Sequence, residues 1–286
     1  MTPRLDAYEL VTPASVAEAL DDLAGHPGAR PFAGGTDLMV LLEAGRLAPG
    51  RYVSLAGCGE LAGVAPIDTG GISIGALTTY SEIRRSTSIL AAFPLLAQAA
   101  AETGGVATQN RGTIGGNIAN ASPSADTPPA LLVYDAELEL RSLSGARRVP
   151  YASFHRGYKT MDLAPGEIIA RIILPARPAS ATRHDFYRKV GPRRAQAIAK
   201  VCFAGTIAMD GDRVETIRIA LGAVAPTVIR ARRTEDALRG RPLDAEAIAG
   251  AVAVLTTEIA PIDDLRSTAR YRGRTAANLL TQFLMR

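Results

Sequence analysis

The sequence predicts an α+β fold in two parts, residues 1–176 and 180–286, and three observations carry that reading. At 286 residues the chain exceeds the roughly 100–200 residues of one ordinary domain, so two cores are expected. In the first part, short apolar runs of strand character alternate with capped helical stretches, and two glycine pairs, Gly34-Gly35 and Gly115-Gly116, are set among them. Pro175 to Pro178 then breaks both periodicities, and beyond it come three strand-like runs followed by helices, a smaller α/β part.

Thr12-Pro13-Ala14-Ser15 precedes Val16, Ala19, Leu20 and Leu23, a stripe of helical period closed by Gly25, which predicts a capped helix. Arg30 to Ala33 reads as a short strand entering the first glycine pair, and Leu38 to Glu43 as a helix leaving it. An anion in that loop would lie at a helix N-terminus, where free amides and the helix dipole favour negative charge. Tyr52–Leu55 and Gly71–Ala76 read as strands, and Thr79-Tyr80-Ser81-Glu82 has the pattern of a capping box. One Ala-rich helix is expected over Ser88–Glu102, stopped by Gly104-Gly105. Thr113–Asn117 is then expected to form a second glycine loop, with regular structure resuming at Pro128–Leu132 and strands at Glu137–Leu140 and Ile168–Ile173. In the second part, Phe186–Val190, Val201–Met209 and Val214–Ala223 predict strands, the last two joined by the turn Asp210-Gly211-Asp212. Glu235–Leu238 and Ala245–Glu258 predict helices.

Composition excludes several classes. The net charge is only +4 and the arginines are scattered in pairs without a basic stripe, so no nucleic-acid partner is expected. Cys58 and Cys202 are too few and too far apart for a disulfide framework, a zinc site or an iron–sulfur cluster, and no metal is expected on this chain. The start of the chain lacks an apolar signal core, and the most apolar run, Ile89–Ala101, is broken by Pro94 and Gln98 and is too short to span a bilayer. The expectation is a cytoplasmic protein without a transmembrane segment.

The chemistry is carried by the glycine pairs. Each combines glycines, which let a backbone turn and approach a ligand, with small hydroxyl or amide side chains that hydrogen-bond phosphate oxygens. Alone, Ala33-Gly34-Gly35-Thr36-Asp37 could equally be a tight turn with an Asp helix cap. The second pair shifts the balance toward one diphosphate held between two backbone loops. Neither stretch is the dinucleotide fingerprint, and no phosphate-loop lysine follows, which disfavours nicotinamide-type and NTPase sites. His26, His155 and His184 lie outside both stretches, so no catalytic base or covalent cofactor anchor is assigned. Cys202 reads as a small hydrophobe in an apolar strand, and Cys58 as a loop residue after Gly57.

These stretches, together with Ala107–Pro123, Asp126, Pro128, Pro165-Gly166-Glu167-Ile168-Ile169, Tyr187-Arg188-Lys189-Val190 and Ala197–Val201, resemble the FAD-binding medium subunits of the molybdenum hydroxylases. That group contains xanthine dehydrogenase and carbon monoxide dehydrogenase. The landmarks run nearly the full length in order. The resemblance implies a two-part flavin domain of the vanillyl-alcohol-oxidase (PCMH) type followed by a smaller C-terminal domain. It also implies non-covalent FAD, with Pro31, Phe32, Ala33, Gly34, Gly35, Thr36, Asp37, Leu38, Thr113, Ile114, Gly115, Gly116 and Asn117 lining the diphosphate. Asn120 and Asp126 would hydrogen-bond nearby, each aspartate capping backbone amides or holding a ribose hydroxyl rather than facing phosphate. Ile169 would pack at the adenine end, and Lys189 and Ile198 would approach the isoalloxazine.

By the same resemblance, a large subunit would hold the molybdenum cofactor and a small subunit two [2Fe-2S] clusters. Electrons would pass from them to FAD and on to an acceptor, within a dimer of heterotrimers. Gln196 stands where the xanthine dehydrogenase type has an acidic residue, which weighs against NAD as acceptor, and Thr36-Asp37 departs from the carbon monoxide dehydrogenase type. Two cysteines cannot supply the extra cluster that some medium subunits carry. A self-sufficient FAD oxidase and a non-redox nucleotide-binding module remain as alternative readings.

Overall fold

The structure, a computed structural model, describes residues 5–178, 180 and 182–285. The first four residues, Ala179, Ala181 and Arg286 lie outside the described residues.

The first sheet contains β1 (Tyr8–Val11), β2 (Arg30–Phe32) and β3 (Gly50–Ser54), parallel in the order β1-β3-β2. α1 (Val16–Gly25) connects the first two strands and α2 (Leu38–Glu43) the last two. Ser15 caps α1 by accepting from the Glu18 amide, and Val16, Ala19, Leu20 and Leu23 are buried together against Val53 and Leu55.

The chain continues through β4 (Val64–Pro66) and β5 (Ile72–Gly75) into a helical run: α3 (Tyr80–Arg85), α4 (Thr87–Ala92), α5 (Pro94–Glu102), α6 (Val106–Arg111), α7 (Ile114–Ala119) and α8 (Pro128–Val133). It returns as β6 (Glu137–Ser142), β7 (Gly145–Pro150), α9 (Tyr151–Phe154), the hairpin β8 (His155–Gly157) and β9 (Thr160–Met161), and β10 (Ile168–Leu174). The second sheet is antiparallel, in the order β4-β5-β10-β6-β7. β10 sits at its centre, and six of its seven residues are buried because both faces are covered, so its sequence is apolar at every position but Arg171 instead of alternating. β6 alternates: Leu138 and Leu140 are buried between the half-buried Glu137, Glu139 and Arg141.

Beyond the linker, β11 (His184–Val190), β12 (Val201–Asp210), β13 (Arg213–Gly222) and β14 (Ile229–Arg230) form a third, antiparallel sheet in sequence order. α10 (Arg232–Leu238), α11 (Ala245–Glu258) and α12 (Ala269–Leu284) follow and close a separate core, in which Phe186, Phe203, Leu255, Leu280 and Phe283 are buried.

Three expectations are corrected. The single helix over Ser88–Glu102 is two helices: Phe93 (φ −135, ψ 54) ends α4, and Pro94, which lacks an amide hydrogen and has its φ preset, begins α5. Thr113–Asn117 is not a loop but the capped start of α7, preceded by the unforeseen α6. Beyond the last expected helix, which ends at Glu258, the structure adds α12, capped by Thr268 and buried through Ala276, Leu279, Leu280 and Phe283.

The break at Pro94 is held from outside. The Leu95 amide donates to Tyr134 Oη at 2.9 Å, a buried contact. Tyr134→Phe leaves that amide without an acceptor, and urea unfolding is expected to show a loss of about 1–2 kcal/mol.

Candidate functional site

The first glycine pair lies between β2 and α2. Phe32 ends the strand, and Gly35 turns at φ +74 directly over the Phe32 ring, where a Cβ would come within 2.6 Å of Cζ. Gly34 lies against the chain just before α7, and a Cβ there would sit 1.9 Å from Arg111 O. The fold thus sets the first glycine stretch against Arg111 and Gly112, the residues that lead into the second. Among the described residues, the amides of Gly34, Gly35, Thr36, Asp37 and Leu38 donate to no protein acceptor. Pro31, Thr36 and Asp37 are exposed, while Phe32, Ala33, Gly34, Gly35 and Leu38 are half-buried. Asp37 precedes α2 without capping an amide through its side chain, so its expected capping role is corrected.

The second stretch differs. The Ile114 amide donates to Thr78 O (3.0 Å), Gly115 to Ala76 O (2.8 Å), Gly116 to Thr113 Oγ1 (3.1 Å) and Asn117 to Thr113 O (3.0 Å). Thr113, Ile114 and Gly115 are buried, and a Cβ on Gly115 would come 2.6 Å from that of Ala76. Gly115 thus serves close packing, and the expected second backbone loop with free amides is corrected. What this stretch offers a ligand is the half-buried Gly116 surface and the Asn117 side chain. Thr127 Oγ1 donates to Asn117 Oδ1 at 2.5 Å, which fixes the amide oxygen and leaves Nδ2 as a donor.

Behind α7, Asp126 is 7% exposed and paired through Oδ2 with Lys189 Nζ at 2.7 Å. Lys189 also donates to Glu102 O (2.8 Å) at the end of α5, so it is a buried cation and not a solvated strand charge. Asp126 caps no amide, which corrects the capping alternative for it too, and its Oδ1 is buried with no partner among the described residues. Burial pushes the Asp126 carboxyl up to about 6, opposed by the Lys189 charge and hydrogen bond. The Tyr187 hydroxyl donates to Asp126 O (3.1 Å), and Cys202 Sγ donates to Tyr187 Oη (3.2 Å). Burial drives the Cys202 thiol far above its ordinary value, which keeps it neutral and unreactive. Cys58, expected in a loop, is likewise fully buried.

The remaining residues scatter. Ile169 is 6% exposed and packs in the core of the second sheet. Ile198 is 51% exposed, on the segment between β11 and β12 that is anchored by Gln196 N to Gly104 O at 3.0 Å. Asn120 ends α7 and accepts from Lys159 Nζ through its carbonyl and, at 2.6 Å, through Oδ1. Lys159 is absent from the sequence-derived set, because nothing local distinguishes a lysine in a short turn.

An orphaned buried carboxylate oxygen, a free amide row and the Asn117 amide NH₂ suit a ligand carrying both an anion and hydroxyl groups, and FAD fits that description. Residues 6–177 match the family described as the FAD binding domain in molybdopterin dehydrogenase, and residues 186–286 match the CO dehydrogenase flavoprotein C-terminal domain. The chain belongs to the FAD-binding medium subunits of the molybdenum hydroxylases. This medium subunit is 33% identical to the glyceraldehyde dehydrogenase medium chain of Sulfolobus acidocaldarius, over 96% of this chain and 95% of that one. It is 30% identical to the xanthine dehydrogenase FAD-binding subunit of Escherichia coli O157:H7, over 91% and 88%. Its fold matches the carbon monoxide dehydrogenase from Hydrogenophaga pseudoflava with a TM-score of 0.94 at 31% identity, covering 100% of this chain and 98% of that one. The medium subunit is thus a flavoprotein component of an oxidoreductase, with a PCMH-type FAD-binding domain followed by a C-terminal flavoprotein domain. No helix among the described residues is long and apolar enough to cross a membrane.

Proposed function

We propose that this medium subunit is the electron-transfer component of a multi-subunit molybdenum hydroxylase, standing between the [2Fe-2S] clusters of a partner and an external acceptor. The observation that carries this reading is the row of unbonded amides from Gly34 to Leu38, pressed against the backbone ahead of α7. Bound FAD would supply the redox chemistry. The chain's own residues bind and orient: the amide row takes the diphosphate, with charge-assisted bonds of ~1.5–3 kcal/mol each. Asn117 Nδ2 donates alongside, and Asp126 Oδ1 accepts from a cofactor hydroxyl. Ile198 has free surface to offer the isoalloxazine, and Lys189 approaches the ring from its pair with Asp126. Ile169 serves the adenine end only through the edge of a side chain otherwise committed to the core. No residue of this chain is required as an acid or base.

The proposed flavin domain is residues 1–176 and the C-terminal domain 180–286. The proposed partners are a large subunit with the molybdenum cofactor and a small subunit with two [2Fe-2S] clusters, assembled as a cytoplasmic dimer of heterotrimers. Titrating the full chain with FAD should give a bound flavin spectrum. Flavin reduction by the enzyme's substrate should then require both partner subunits. Absence of flavin binding would sink the reading, and reduction by substrate without partners would replace it with a self-sufficient oxidase.

A further inference from the structure

The hairpin β8-β9 reaches α7 through two side chains. His155 Nε2 lies 3.0 Å from Ile118 O, and Lys159 Nζ donates to both Asn120 O and Asn120 Oδ1. These acceptors stand at the C-terminal end of α7, where carbonyls lack partners within the helix and favour a cation.

Lys159 occupies its position against backbone preference. Gly157 pairs with Thr160, which leaves Tyr158 and Lys159 as the turn, and Lys159 has φ +56. Glycine adopts that region freely, whereas a residue with a Cβ is strained there by ~1–2 kcal/mol. A strained non-glycine residue in a turn that glycine would fit points to a use for its side chain. Two bonds to Asn120 occupy two of the three ammonium protons. The Asp37 carboxylate, on the first glycine loop, lies within electrostatic reach of the ammonium: burial pushes the Lys159 pKa down and Asp37 opposes that shift. Lys159 is thus bonded to Asn120 and feels the charge of the first glycine loop's Asp37. Neither Pro31–Leu38 nor Thr113–Asn117 contains a cation to balance a diphosphate.

We propose that Lys159 is a third arm of the diphosphate site, an ammonium held by Asn120 that supplies the positive charge both glycine stretches lack. The proposal rests on the FAD reading of the first loop. Salt dependence of binding then contains a contribution from this lysine.

The test is FAD titration of the full chain, followed by flavin fluorescence at low and at elevated sodium chloride, for wild type, Lys159→Gly and Lys159→Arg. Lys159→Gly relaxes the turn but gives up both bonds to Asn120, so circular dichroism and melting temperature are recorded to show that the variant is folded at the titration temperature. Its FAD affinity should fall about tenfold or more, with a shallower salt dependence. Lys159→Arg should recover most of the affinity and the slope. Unchanged affinity in Lys159→Gly overturns the proposal. So does weakened affinity with the wild-type salt slope, or a Lys159→Arg variant as deficient as Lys159→Gly, because packing and not charge would then be what was lost. Failure of wild type itself to bind FAD is a separate result and removes the site reading.

Discussion

Gly34→Ala is expected to weaken FAD binding by about a hundredfold or more while leaving the two hydrophobic cores folded. The added Cβ would lie 1.9 Å from Arg111 O, 2.7 Å from Arg111 C and 3.2 Å from Gly112 Cα. All three are backbone atoms, so no side chain can swing aside. Carbon contacts are comfortable at about 3.5–4.0 Å, and the two stretches must part by more than ~1 Å. The unbonded amides from Gly34 to Leu38 lie on the stretch that moves. Losing two charge-assisted bonds of ~1.5–3 kcal/mol each amounts to ~100-fold or more in affinity. Gly25→Ala is the control, since a Cβ there meets nothing within 4 Å. Flavin fluorescence titration with circular dichroism checks both halves of the expectation. A Gly34→Ala protein that binds FAD within about threefold of wild type would show that the amide row is not the receptor.

The first glycine loop was legible in the sequence because its signal is local: a strand, two glycines and a helix in succession dictate a turn with amides at its mouth. The second pair was misread because a glycine has two uses, backbone freedom and close approach, and the residue type does not say which. Gly115 is there for Ala76, a neighbour 39 positions away that no local pattern reveals. α12 carried a readable stripe in Ala276, Leu279, Leu280 and Phe283, but Arg270, Arg272, Gly273 and Arg274 obscure its first half. Arg272 is in fact buried, donating to Lys200 O and Ala223 O and pairing with Asp264. An arginine's type points to a solvent position, and only tertiary partners overrule that. The same limit applies to Lys159, whose role depends on Asn120, and to the burial of Lys189, which depends on an aspartate 63 residues earlier.

Lys189→Met is expected to lower the unfolding free energy by about 3–5 kcal/mol at neutral pH, the usual penalty for stripping one partner from a buried pair. Asp126 remains 7% exposed, with Oδ1 already unpartnered, and Glu102 O loses its donor as well. The loss should also depend on pH. Burial raises the Asp126 carboxyl from 3.8 to about 6, and the Lys189 ammonium is the main influence holding it down, so without that ammonium it titrates higher still. A carboxyl whose folded-state pKa lies above its unfolded value binds its proton more tightly in the folded protein. Its contribution to stability is therefore complete below the unfolded pKa and is lost as pH rises through the folded one. Wild type loses that contribution between 3.8 and about 6, whereas the variant goes on losing it above that point. Urea unfolding should accordingly show a deficit that widens as pH rises above about 6. The Tyr187 hydroxyl still donates to Asp126 O, which keeps the Asp126 backbone in place and makes charge the quantity that changes. A deficit independent of pH would mean that the lysine acts through packing and its bond to Glu102 alone, and that Asp126 does not feel its charge.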